Sequence, residues 1–73
     1  MRNETAFTLR GDHITLDALL KATGLVSSGG DAKAQIVTGS VTLNGEVELR
    51  RGRKVRHGDV VVLGATRVRV QAA

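Results

Sequence analysis

Cysteine, tryptophan and tyrosine are absent from this chain, and Phe7 is its only aromatic residue. Without cysteine, neither a disulfide nor a thiolate zinc site can supplement the core. The same absence agrees with a cytoplasmic protein. Without Trp or Tyr there is no stacking platform of the kind that readers of single-stranded nucleic acid use. No window approaches the roughly 18 continuous apolar residues of a membrane span, and no apolar run follows Arg2 to make a secretory signal.

Catalytic and metal chemistry is equally short of parts. His13 and His57 are the only histidines, and no serine is set with a histidine and a carboxylate in a recognisable order. Asp59, directly after Gly58, reads as a turn residue. No enzyme activity, metal site or cofactor is expected.

What the chain does have is aliphatic residues and clustered positive charge. Its 73 residues form one domain, 1–73, with a core of Val, Leu, Ile and Ala, near the lower size at which a chain folds without staples. The net charge is +4. Residues 50–69 hold seven basic side chains and one acidic, a balance of +6, while the remainder holds four basic and six acidic, a balance of −2. This asymmetry points to a polyanion, nucleic acid before membrane, because a membrane-surface segment would be a basic helix with Leu, Phe or Trp opposite. A face that only keeps a small domain soluble is the bland alternative.

The chain is organised around residues 27–59, a serine-glycine helix start followed by a hairpin and a dense basic run. Residues 1–3 read as a loose end, and residues 4–9 alternate as a short edge strand. Residues 10–13 form a turn. Thr15 offers a hydroxyl N-cap to a helix reaching Thr23, with Asp17 in its first turn. Leu16, Leu19, Leu20 and Thr23 share one face, and Gly24 closes the helix. Leu25 and Val26 fold back on the core. Ser28-Gly29-Gly30-Asp31 resembles a capping box with Asp for Glu. It opens a second helix that buries Ala32, Ile36 and Val37, turns Lys33 and Gln35 outward, and ends at Gly39. Val41 and Leu43, then Val47 and Leu49, alternate about Asn44-Gly45, a strong hairpin signal. Val55, residues 60–63, and Val68 with Val70 read as further short strands, with turns at residues 57–59 and 64–66. The expected class is α+β: a strand, two helices, then a small sheet of short antiparallel strands.

Arg50, Arg51, Arg53, Lys54 and Arg56 carry the main functional signal. Basic side chains neutralise phosphates and release counterions, and arginine adds forked hydrogen bonds to phosphate oxygens. Gly52 would let a backbone approach closely. At the second helix, Gly29 and Gly30 leave N–H groups uncovered at a positive helix end, with Lys33 about one turn further on. Glycines that allow a tight inter-helix turn or close packing are the alternative there. The aromatic motif of an RNA-recognition-motif domain and the Cys/His spacing of zinc fingers are both missing. Contact by charge and shape remains, which suits folded RNA.

The ordered set Leu16-Asp17-Ala18-Leu19-Leu20, Gly24-Leu25, Ser28, Ala32-Lys33, Ile36, Gly39, Val41, Leu43-Asn44-Gly45, Val55 and Gly58-Asp59 resembles the S4 RNA-binding domain family. The match runs over about residues 14–63 and is similar to the small stand-alone bacterial members, the YbcJ-like group. The resemblance implies an S4-like (alpha-L) fold whose two helices and β-turn region bind structured RNA, ribosomal or transfer RNA first, on a bacterial ribosome or free of it. Carried over by position, the surface comprises Ser28, Gly29, Gly30 and Lys33 with the basic run at residues 50–56. Many larger S4 domains carry Arg directly after the serine, where this chain has Gly29. Larger relatives join the domain to a catalytic one, for which there is no room here. A monomer is expected. A protein-interaction adaptor that docks an acidic, ribosome-associated surface is the competing class.

Overall fold

The computed structural model describes residues 3–73. Two helices, α1 (Leu16–Ala22) and α2 (Gly29–Val37), lie against one side of a mixed five-stranded sheet. The strands are β1 (Asn3–Thr8), β2 (Ile14–Thr15), β3 (Val41–Leu43), β4 (Glu46–Val47), β5 (Lys54–Val55), β6 (Val60–Leu63) and β7 (Thr66–Gln71). The large sheet runs β1-β7-β6-β3-β4, and β2 pairs with β5 in a separate two-stranded ladder.

The helices are local features with local causes. Leu16, Leu19 and Leu20 are fully buried, so α1 spends its whole apolar face on the core. Each such burial is worth about 1.5–3 kcal/mol, and Leu19→Ala would cost roughly 2–5 kcal/mol through the cavity left behind. Gly24 adopts φ +76°, with its N–H on the Lys21 carbonyl and that of Leu25 on the Leu20 carbonyl. This is a Schellman closure, and it turns Leu25 and Val26 back onto the core as expected. Gly39 repeats it for α2: its own N–H reaches the Ile36 carbonyl and that of Ser40 reaches Gln35. Ser28 caps α2, its Oγ accepting the Asp31 N–H at 3.1 Å. Asp31 returns a bond one residue earlier than a standard capping box, accepting the Ser27 N–H at 3.2 Å.

Val37 departs from expectation. It is 56% exposed, because Ala32 and Ile36 already fill the narrow stripe that α2 presents. The segment at residues 1–3 also differs: Asn3 is the first residue of β1, while Met1 and Arg2 lie outside the described residues.

The sheet holds the other surprises. β1 is an edge strand as expected, but it pairs parallel to β7, so only the β7-β6-β3-β4 part is antiparallel. The hairpin is where Asn44-Gly45 places it, with φ +52° and +87°, the signature of a type I′ turn. That two-residue turn also fixes the register. Leu43 stands opposite Glu46, and Thr42 opposite Val47. Directly opposed residues share a face, so Val47 points away from the buried Val41 and Leu43. Val47 is 57% exposed and Leu49, beyond the strand, 58%. Glu48 is the residue that lands at the rim of the core.

Candidate nucleic-acid interface

Residues 48–56 leave the hairpin and return along the two-stranded ladder, where Val55 is buried opposite Ile14 and Lys54 is exposed opposite Thr15. One inward valine thus anchors a segment that is exposed to water at residues 49–54 and 56. The turn before it closes with the Arg53 N–H on the Arg50 carbonyl at 3.2 Å.

The same turn caps α1. The Leu16 N–H donates to the Arg53 carbonyl at 2.9 Å, and the Asp17 N–H to the Arg51 carbonyl at 3.1 Å. These are two of the four N–H groups that a helix start leaves unpaired. Thr15 occupies the N-cap position, but its hydroxyl makes no capping bond. Main-chain carbonyls from a distant segment have taken that role, which corrects the local capping expectation. Asp17 sits in the first turn as expected and accepts the Ala18 N–H at 2.9 Å.

Glu48 organises the arginines from below. Its N–H is held by the Val41 carbonyl at 3.1 Å, and its side chain is only 12% exposed. Oε2 accepts the Arg50 N–H at 3.1 Å and faces Arg50 Nε at 3.4 Å, while Oε1 lies 3.4 Å from Arg53 Nη1. Burial pushes the carboxyl pKa up, but the Arg50 N–H and the two guanidinium groups outweigh it and hold it below its ordinary 4.5. Sequence reasoning overlooked this residue. The signal was present as an acid just ahead of Arg50-Arg51, but its burial depended on the hairpin register.

The result is a shallow groove of about 420 Å³ lined by Arg50, Gly52, Arg53, Lys54 and Arg56. Arg51 lies on the same turn and is exposed. A Cβ at Gly52 would meet nothing within 4 Å, and its φ is not positive, so neither backbone strain nor packing requires glycine there. Beyond the groove, Asp59 ties two turns together: it accepts the Arg56 N–H at 2.8 Å and an Asn44 amide N–H at 3.0 Å, while Asn44 Oδ1 accepts the Val60 N–H at 2.9 Å. Asp59 is thus the turn residue expected of it.

Ser28, Gly29, Gly30 and Lys33 stand together at the start of α2, all exposed. They do not line the groove, and among the described residues no hydrogen bond or ion pair joins them to residues 50–56. The glycines are not packing devices: a Cβ at Gly29 would meet nothing within 4 Å, and one at Gly30 only Ser28 Oγ at 3.9 Å. The histidines lie elsewhere in local roles. His13 Nδ1 sits 2.9 Å from Asp12 Oδ1, and that hydrogen bond, with the histidine's charge when protonated, lowers the Asp12 pKa. His57 Nδ1 accepts the Ala72 N–H at 2.9 Å. No helix of the described residues is long and apolar enough to cross a membrane.

Two helices against a small mixed sheet, with a basic loop clamped to the first helix, define an S4-type module, and the chain belongs to the S4 domain family, whose model matches residues 7–71. The match is wider than the 14–63 that the motif residues span, since it takes in the last two residues of β1, Phe7 and Thr8, and all of β7. Among solved structures, the chain is similar to YbcJ from E. coli, whose solution structure is described as revealing an αL motif involved in RNA binding. The two share 37% identity over 99% of this chain and 92% of that one, with a TM-score of 0.74. It is also 46% identical over 48 residues, 66% of this chain and 68% of the relative, to the probable ribosome maturation protein RlbA of Bacillus subtilis (strain 168).

Proposed function

We propose that this protein binds folded RNA through its phosphates, using Arg50, Arg51, Arg53, Lys54 and Arg56 together with the α2 start, Ser28, Gly29, Gly30 and Lys33. The observation that carries the proposal is the groove at residues 50–56. Its wall is basic, its backbone is fixed to α1, and its exposed cations outnumber the single carboxylate, Glu48, that pairs with them. A preordered loop loses less conformational entropy on binding than a flexible one. At α2, bare N–H groups at the positive end of a helix suit a phosphate, and the two glycines leave room for it.

Phe7 packs against the core, so no aromatic platform is available for unstacked bases. Recognition therefore falls to backbone geometry, as in shape-based reading of structured RNA. A relative named for ribosome maturation and a neighbour described as RNA-binding support ribosomal RNA as the first target class. The domain, residues 1–73, acts in this reading as a single non-catalytic binding module.

The test is an anisotropy titration against a folded RNA hairpin, a single-stranded RNA and a DNA duplex over a range of salt. Tightest binding to the hairpin is expected, with log K falling linearly in log salt. In the triple variant R51Q/R53Q/K54Q, the slope should shrink by about two to three units, near one per lost phosphate contact. Equal weak binding to all three nucleic acids would overturn the proposal. So would nuclease-resistant capture of an acidic protein with no RNA affinity.

A further inference from the structure

The sheet has a second side, and the basic groove is not on it. Val41, Leu43, Val61, Val68 and Val70 turn one face of the sheet toward the helices, and Val55 of the two-stranded ladder joins the same core. The groove, bonded to the start of α1, therefore belongs to the helix side. Register assigns the opposite face. Arg67 stands between Glu4 and Val62, and Arg69 between Ala6 and Val60, with Thr42 beyond Val62. Both arginines are exposed, while Val60, Val62 and Thr42 are only half-buried, and no described element covers them.

These two arginines belong to the cluster of seven cations, yet the groove leaves them out. Among the described residues neither makes an ion pair; even Glu4, directly across from Arg67, is not within bonding distance of it. They alternate along β7, so their Cα atoms lie about 7 Å apart on one face. The neighbouring valines offer an apolar floor for the arginine stems, which leaves the guanidinium heads to a charged partner. Two arginines that outnumber Glu4 on this face, and that pair with no acid among the described residues, fit a run of phosphates.

We infer that Arg67 and Arg69 form a second phosphate-binding surface, so that one domain holds two separate segments of RNA backbone, one on each side of its sheet. This rests on the RNA reading of the groove and extends it. The Cα trace is only 22 Å across at its thinnest, so the two segments would be brought close together, as at a junction between helical arms. The ligand class is then a multi-arm folded RNA rather than a lone hairpin.

The experiment compares one RNA hairpin with two copies of it joined by a flexible linker. The parent protein should bind the two-arm RNA about tenfold or more tighter, because the second contact is intramolecular. In R67Q/R69Q that advantage should disappear, with single-hairpin affinity kept within about twofold. Both positions are exposed, and a thermal melt checks the fold. A measurement on the parent needs no variant: in an amide-shift titration with the single hairpin, Arg67 and Arg69 should respond at a second equivalent, after residues 50–56 have saturated. A two-arm advantage that survives in R67Q/R69Q, an equal loss on both RNAs, or one-to-one saturation would overturn the inference while leaving the groove intact. Failure of the parent to bind either RNA would overturn both readings.

Discussion

The Asp17 N–H donates to the Arg51 carbonyl across 3.1 Å, which makes the basic loop the N-terminal cap of α1. Backbone carbonyls, not arginine side chains, do the structural work at this point. The consequence for α1 is that Thr15 is dispensable as a cap. Thr15→Val, which removes the hydroxyl and keeps the shape, should change stability by less than about 0.5 kcal/mol. Ser28→Ala, which deletes a cap bond that is made, should cost about 1 kcal/mol. Chemical denaturation of both variants checks the pair. Equal losses would mean that Thr15 caps α1 after all.

Glu48 gives a prediction whose sign opposes simple charge counting. Glu48→Gln raises the net charge by one and should tighten RNA binding if only the field matters. If the carboxylate instead positions Arg50 and Arg53, its loss frees two guanidinium groups and a backbone N–H. The expected outcome is weaker hairpin binding by about fivefold, equivalent to roughly 1 kcal/mol. Anisotropy at fixed salt decides between the two.

The same carboxyl makes stability depend on acid. Its folded pKa lies below 4.5, so the unfolded chain takes up the proton first and folding is favoured while the group is ionised in both states. The contribution is fully present above 4.5 and is lost as pH falls through the lowered folded value. Denaturation midpoints should therefore fall on acidification below about pH 4.5, and less steeply in Glu48→Gln. Parallel curves for the two proteins would remove Glu48 as a cause.

Features set within a few residues were legible before the fold was known. Ser28 capping α2, Gly24 and Gly39 ending the helices, and the Asn44-Gly45 turn all follow from short-range chemistry, and the S4 resemblance ordered them correctly. Long-range partners were not legible. The parallel pairing of β1 with β7 joins residues more than sixty apart. The cap on α1 comes from residues 51 and 53, and the place of Glu48 depends on a register that turns Val47 outward. Alternation of Val47 and Leu49 identified a strand, but only the turn geometry could say which face they would take. Of the candidate site, the groove at residues 50–56 is gathered by the fold, whereas Ser28, Gly29, Gly30 and Lys33 remain a separate patch.

Gly29 and Gly30 decide whether that patch takes part. Neither has positive φ, and an added Cβ would meet nothing closer than 3.9 Å. In the first turn of a helix, glycine is therefore a conformational liability with no folding reason behind it. Gly29→Ala and Gly30→Ala together should stabilise the protein, by about 0.5 kcal/mol each, through lower entropy of the unfolded chain. If the α2 start carries a phosphate, the same methyl groups crowd it, and hairpin affinity should drop several-fold while the melting temperature rises. The two readouts moving in opposite directions is the outcome that a purely structural role does not produce. A more stable double variant with parental RNA affinity and salt slope would restrict the interface to the basic groove.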